Sequence, residues 1–472
     1  MIPAQDLVER GLAAAAAAGA DGCVVLVAET SHADVRFALN TTTTNGVTRA
    51  RSVSVAAMAG RSVGTASRLG VVGVGGVGGV EEMVRAALAD ARGAPPAEDA
   101  EALVEPSAAP LGRAFDLPPE ETGPGALEPV LSSLPGAFAR ARARDAVLAG
   151  FATLDVTTLY LGTSTGVRLA HTQPTGAVHL VGRTATGSDS AWVGAPAVDP
   201  VLEDMEEEVW RRLDWGRRKV ALDAGRYEVI LPPSGVADMM AMLDFYALGL
   251  QDAEDGRTVF SRGSGLTRLG ERITPLPFTL SGNPAEPGAE CIPFVATPAS
   301  WSEVSVFDNG WSVGRVDWLR DGVLTNLRAH RAGAARSGVP MAPYVDNLVL
   351  RCGEPGESGT AAGGGSVDDM VGRTERGLLL TCLWYIREVD PATLLVTGLT
   401  RDGVYIVEDG AVVGAANNFR FNESPVDLLA RTTEVGTPVR TLGREFGQNL
   451  NRAVVPPLRV SDFNMSSVSQ AS

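Results

Sequence analysis

The stretch 377–431 constrains the fold of this chain more tightly than any other part of its sequence. It opens with an apolar run at 378–385, Leu-Leu-Leu-Thr-Cys-Leu-Trp-Tyr. A run of that length, rich in strand formers, predicts one fully buried strand. Two Asp-Gly turn signals follow, Asp402-Gly403 and Asp409-Gly410. The second stands between 404–408 and 411–415, and Asp-Gly suits the positive φ angles of a type I′ turn, so a hairpin is predicted there. A polar patch at 417–424 comes next.

The chain of 472 residues is long enough for two or three domains with sizeable cores. Residues 1–93 read as a small α+β unit. A helix is predicted at 7–18, strands at 23–28 and at 35–39, a turn at Asn45-Gly46, further strands at 53–57 and 62–66, and a helix at 80–92. Residues 94–124 form an acidic, proline-punctuated linker that wraps or connects. Residues 125–218 read as a second α+β unit, with a helix at 129–144 disturbed by Pro135. Strands are expected at 151–161, 167–172 and 177–183, and an acidic amphipathic helix at 201–213. Residues 219–472 form the largest unit, β-rich and full of hairpin signals, with Asn309-Gly310 and Asp321-Gly322 each separating strand-like runs. A Gly-rich loop spans 353–366. The expected fold class is therefore α+β: two small N-terminal α+β units and a large C-terminal β-rich domain.

Forty Lys and Arg against 56 Asp and Glu leave a formal charge of −16. Lys219 is the single lysine. An acidic chain without a basic cluster is a poor binder of nucleic acid or of anionic lipid, because both need cations on one face. Cys23, Cys291, Cys352 and Cys382 are scattered and show no zinc-site spacing, so reduced thiols in a cytoplasmic protein are expected. The alanine-rich 13–18 is too short and too weakly apolar for a signal or a membrane span.

A strand is predicted at 226–231, ended by Pro232 and Pro233. A helix follows, with Ser234 as N-cap and Val236, Met239, Met240, Leu243, Ala247 and Leu250 at helical spacing. Taken together with 377–381, 397–403, 404–410 and 425–430, in that order, this resembles the C-terminal domain of the TldD/PmbA family of metallopeptidases. The resemblance is strongest after residue 225. It implies a TldD/PmbA-like fold and a helix that, in catalytic members, carries His-Glu-x-x-x-His, where two imidazoles hold Zn²⁺ and the Glu acts on the bound water. Matched to that motif, Ala241 and Met242 stand at the first His and the Glu, and Tyr246 at the second His. The family's third ligand, a Cys near the C-terminus, matches Leu442 in the segment 441–448. None of the four suits a zinc site: hydrocarbon offers no donor, a thioether is a poor ligand for a hard site, and a neutral phenol is a weak substitute.

The resemblance thus points to the PmbA branch, also called TldE. It implies a TldD-like, metal-bearing partner that holds the zinc, an enclosed chamber, and cleavage of unfolded or short peptides, with no cofactor in this chain. Arg401 and Asp402, on the turn after the buried strand, either line a groove for an extended peptide or satisfy turn backbone. If the chain acts alone, a non-catalytic peptide-binding homodimer is an alternative.

Other motifs carry less. Gly162-Thr163-Ser164-Thr165-Gly166 matches the nucleophile elbow GxSxG, the basis of a second alternative, an autonomous serine-type hydrolase. A strand rather than a helix is predicted after it, so Ser164 reads as a tight turn. The GxGxxG at 73–78 lacks an alternating β/α context and reads as a connector. His171 and His179 flank Pro174-Thr175-Gly176; a hairpin there places them face to face, without a third ligand. His32 and His330 are isolated. Asp368, Asp369 and the acidic run 203–208 read as helix caps or solvated faces.

Overall fold

The computed structural model describes residues 2–71, 79–107, 111–187, 189–196, 202–263, 265–353 and 364–469. It is α+β, as expected, with a strand-rich C-terminal unit. The glycine motif at 73–78 and most of the glycine-rich loop, 354–363, lie outside the described residues.

The N-terminal lobe is built on one six-stranded sheet. Its strands are β1 (Gly22–Ala38), β2 (Thr41–Ala59), β3 (Ser62–Val71), β4 (Ala146–Thr163), β5 (Arg168–Thr184) and β6 (Ser190–Ala195), in spatial order β3-β2-β1-β4-β5-β6. Strands from 1–93 and from 125–218 therefore share a single sheet, joined by the antiparallel pairing of β1 with β4 from Val24↔Thr163 to Phe37↔Gly150. Period-two alternation sorts its faces. Val25, Val27, Val35 and Phe37 face the helices α1 (Ala4–Ala17), α2 (Val80–Gly93), α3 (Glu128–Ala143) and α4 (Leu202–Trp215). Val24 and Leu26 face the other way, into a cluster shared with Phe294, Val306 and Phe307 of the C-terminal lobe. Pro135 sits inside α3 without ending it. The described parts of the proline-rich segment, 94–107 and 111–124, touch the sheet, where Leu117 O accepts the Tyr160 hydroxyl at 2.7 Å and Val104 O that of Thr165 at 2.6 Å.

Two turns fall elsewhere than expected. Asn45 and Gly46 lie within β2, opposite Val35 and Asp34. The chain reverses instead at Leu39 and Asn40, with φ of 52° and 57°. Asn40 tolerates this left-handed conformation because its side chain binds Ala146 O and Leu148 N, at 2.9 and 2.7 Å. Nor is there a hairpin at Pro174: β5 runs unbroken past it, so His171 and His179 lie on one strand, eight residues apart and far out of mutual reach. At Pro174 the strand is open on the side away from β4, where a missing N–H breaks no ladder.

The C-terminal lobe holds two sheets. A six-stranded sheet contains Phe278–Gly282, Val316–Arg320, Val323–Leu324, Leu348–Cys352, Val439–Thr441 and Ala453–Val455. The ten-stranded sheet is centred on Gly225–Leu231 and Arg376–Leu380, which pair in parallel. The apolar run 378–385 is not one strand. It breaks at Thr381-Cys382 into Arg376–Leu380, inside the sheet, and Leu383–Asp390, at its edge. Asp409-Gly410 joins Val404–Glu408 to Ala411–Ala416 in the predicted hairpin, with φ of 47° and 79°. Asp321-Gly322 does the same between Val316–Arg320 and Val323–Leu324. Asn309-Gly310 instead follows a short 3-10 turn, and the Asn309 amide ties back to Thr297.

Candidate functional site

Helix α5 (Pro233–Tyr246) touches strands of both C-terminal sheets. Every residue from Gly235 to Asp244 is buried. A helix that is apolar all round belongs inside a lobe rather than on its surface, and Met239, Met240 and Leu243 pack accordingly. Pro232 precedes it and Pro233 begins it, where a missing N–H costs nothing.

Residues 238, 241, 242 and 245 share one face of α5 by helical spacing. Two contacts show what that face meets. Asp238 accepts backbone N–H groups from Arg444, Glu445 and Phe446, and the Phe245 and Phe446 rings meet edge to face at 5.8 Å. The helix positions matched to the His-Glu pair therefore look toward the loop that follows Leu442. Ala241, Met242 and Leu442 are all fully buried, whereas Tyr246, at the helix end, is 46% exposed. These side chains do not fit zinc: alanine and leucine carry no donor atom, and the methionine thioether is a soft ligand. Among the described residues no group of three or more His, Cys, Asp or Glu is arranged to hold a metal ion.

The loop after Leu442 carries a second feature that the sequence reading missed. The Arg444 guanidinium lies between two indoles, 5.2 Å from Trp192 of β6 and 4.4 Å from Trp384 of the edge strand. Cation–π contact thus joins the lobes at one residue. Trp192 Nε1–H donates to His179 Nδ1 at 3.2 Å, which leaves the histidine proton on Nε2. Burial, then the Arg444 charge, lower the His179 pKa to about 4, so the ring is neutral. A carboxylate at the start of the Met-rich turns of α5 was the available signal for Asp238. No comparable signal existed for Arg444, because its partners are 252 and 60 positions away in sequence.

Asp402 is held with φ of 52°, and its carboxylate accepts the Ser190 hydroxyl of β6, a further tie between the lobes. It lines a cavity of about 510 Å³ with Arg212, Asn417 and Asn418. The Arg401 guanidinium stands 3.9 Å from the same carboxylate. A separate cavity of about 540 Å³ opens at the start of α5, between Trp192, Arg212, Pro233, Thr381 and Thr441.

The remaining candidates are structural. Ser164 sits in the turn between β4 and β5, its hydroxyl accepting the Cys23 amide at 3.0 Å; a strand follows, not the helix of a nucleophile elbow. His330 caps a short helix through Gly333 N, and His32 binds Asp155 at 2.8 Å. Asp369 completes a capping box with Ser366, and Asp368 pairs with Arg211. Glu206, in the acidic run, is not solvated: it is buried and accepts from Arg140 and Trp210, at 2.6 and 2.8 Å.

A family model described as "PmbA/TldA metallopeptidase C-terminal domain" matches residues 224–467, more than half of the sequence. The chain belongs to the PmbA/TldD family. TldE from Thermococcus kodakarensis has a similar fold, with a TM-score of 0.73 at 16% identity over 98% of this chain and 99% of that one. A Thermotoga maritima protein named for modulation of DNA gyrase matches with the same TM-score at 14% identity and the same coverage. A like-named Bacteroides thetaiotaomicron protein gives 0.71 at 13%. At these identities the likeness concerns the fold, and it extends through both lobes. No curated protein matches this sequence.

Proposed function

We propose that this chain is a TldE-type, metal-free subunit of a two-subunit metallopeptidase that cleaves unfolded or short peptides, with a TldD-type partner supplying the zinc. One observation carries the reading: family membership is clear over 224–467, yet the helix and loop positions that would ligate the metal are Ala241, Met242 and Leu442, sealed in hydrocarbon. The subunit's work is then to complete a chamber and restrict what enters it. Extended peptide segments would be held through main-chain hydrogen bonds at strand edges. The thiols of Cys23, Cys291, Cys352 and Cys382 are all free, which suits a reducing cytoplasm. Among the described residues no helix is long and apolar enough to cross a membrane.

The test is co-expression with a TldD-type chain, followed by co-purification and a peptide-cleavage assay with and without chelator. The expected result is a stable complex whose chelator-sensitive activity is absent from this chain alone. Stoichiometric zinc and EDTA-sensitive cleavage in the isolated chain would overturn the assignment.

A further inference from the structure

The apolar centre of α5 contains a carboxylate, Asp238, whose hydrogen-bond partners all lie on the loop after Leu442. Asp238 is fully buried. Its partners are amides rather than a cation: Arg444 N–H at 2.8 Å, Phe446 N–H at 3.0 Å and Glu445 N–H at 3.1 Å. Gly443 makes this approach possible, since a Cβ there would stand 2.3 Å from Asp238 Oδ1.

What the loop holds in turn is specific. Arg444 is clasped by Trp192 of the N-terminal lobe and Trp384 of the edge strand Leu383–Asp390. The Glu445 carboxylate accepts Tyr385 N–H at 3.2 Å and pairs with Arg387 at 2.9 Å, both on that edge strand. Phe446 packs on Phe245 of α5.

We propose that Asp238 is a positioning residue: it holds the 443–446 loop on α5, and through Arg444 and Glu445 it clasps the N-terminal lobe and the edge strand to the buried helix. The inference concerns this chain alone and stands whether or not a metal-bearing partner exists.

The clasp has a pH dependence with a definite sign. Burial raises the Asp238 pKa to about 7, against the opposing pull of the three amides. The other groups that bear on it are Glu445, which raises it further, and Cys382, whose own thiol is pushed up by burial and stays neutral. The Arg444 guanidinium is turned to the indoles. A carboxyl whose pKa is higher in the closed state than when exposed to water binds its proton more tightly when closed. Closure is therefore favoured below the ordinary carboxylate range and weakens as pH rises toward 7, levelling above it.

Hydrogen–deuterium exchange of the full chain tests this, read at 443–447 and 383–390 between pH 5 and 8 and corrected for intrinsic rates. Protection at 443–447 should fall about tenfold or more across that range. Asp238→Asn should abolish the slope. Gly443→Ala, whose Cβ collides with the Asp238 carboxyl and displaces the loop while the carboxyl itself is kept, should lower protection of both segments at every pH. A wild-type slope of zero, or one that persists in Asp238→Asn, overturns the proposal. If Asp238→Asn does not fold, the wild-type slope and Gly443→Ala decide alone, and unchanged protection in Gly443→Ala sinks it.

Discussion

At the scale of single residues, charge among the described residues is buried where geometry answers it. Arg328 is 2% exposed, stacked between Trp318 and Tyr344 at 5.2 and 4.8 Å. It donates to the Asp244 carbonyl at 2.7 Å and to the Asp244 carboxylate at the far end of α5. Even beside the guanidinium, burial raises the Asp244 pKa. Arg328→Met should cost about 3–5 kcal/mol at neutral pH, because it leaves a buried carboxylate without a counterion. Urea denaturation would measure it, and the loss should shrink in acid as Asp244 takes up a proton. A loss below about 1 kcal/mol would mean that the pair is an incidental contact. Asp244 was visible in the sequence as a second carboxylate in the same helix; its partner, 84 positions on, was not.

At the scale of elements, α5 shows how one stretch can be predicted correctly as a helix and still be misjudged in its surroundings. The apolar spacing at 236, 239, 240 and 243 foretold a helix with a buried face. The structure buries all faces, because strands from two sheets close on it. Ala241 and Met242 are thus packed parts of the core as well as the positions that lack metal ligands. Met242→Ala should destabilise the protein by about 2–5 kcal/mol through lost contact and a residual cavity, read as a shift in the denaturant midpoint. No change would mean that the side chain adjoins a space already open. The run 378–385 failed in the opposite way. Its hydropathy is continuous, but Thr381 N binds Gly403 O and Cys382 O receives Arg401 N, so a crossing segment splits it into two strands. Hydropathy records that both halves are buried, not that they pair with different neighbours.

At the scale of the whole molecule, two kinds of contact hold the lobes together. One is apolar: Phe294, 1% exposed, meets Val24, Leu26, Leu161 and Val167 beneath the N-terminal sheet. The other is polar: Arg444 reaches Trp192 and Asp402 reaches Ser190 at β6, and Asn451 and Arg452 donate to Gly176 O and the Thr175 hydroxyl on β5. Phe294→Ala should remove about 3–5 kcal/mol and strike the apolar contact selectively. Calorimetry should then resolve two transitions, against a single one expected for the native chain. A single, uniformly shifted transition would show that the polar ties alone keep the lobes cooperative.

The proline-led helix and the Asp321-Gly322 and Asp409-Gly410 hairpins were legible in the sequence, and so was the lack of a suitable zinc ligand at 241, 242 and 442. These depend on residues close to one another along the chain, where turn chemistry and periodicity act directly. Only the tertiary structure decided that residues on either side of the proline-rich segment share one sheet. It also decided that His171 and His179 lie along one strand, that Glu206 is buried, and that Asp238 and Arg444 tie a helix, a loop and two indoles together. The physical reason is common to all of these. Each rests on pairing between segments tens to hundreds of positions apart, and a side chain's neighbours at that distance are set by how sheets stack, which no local pattern records.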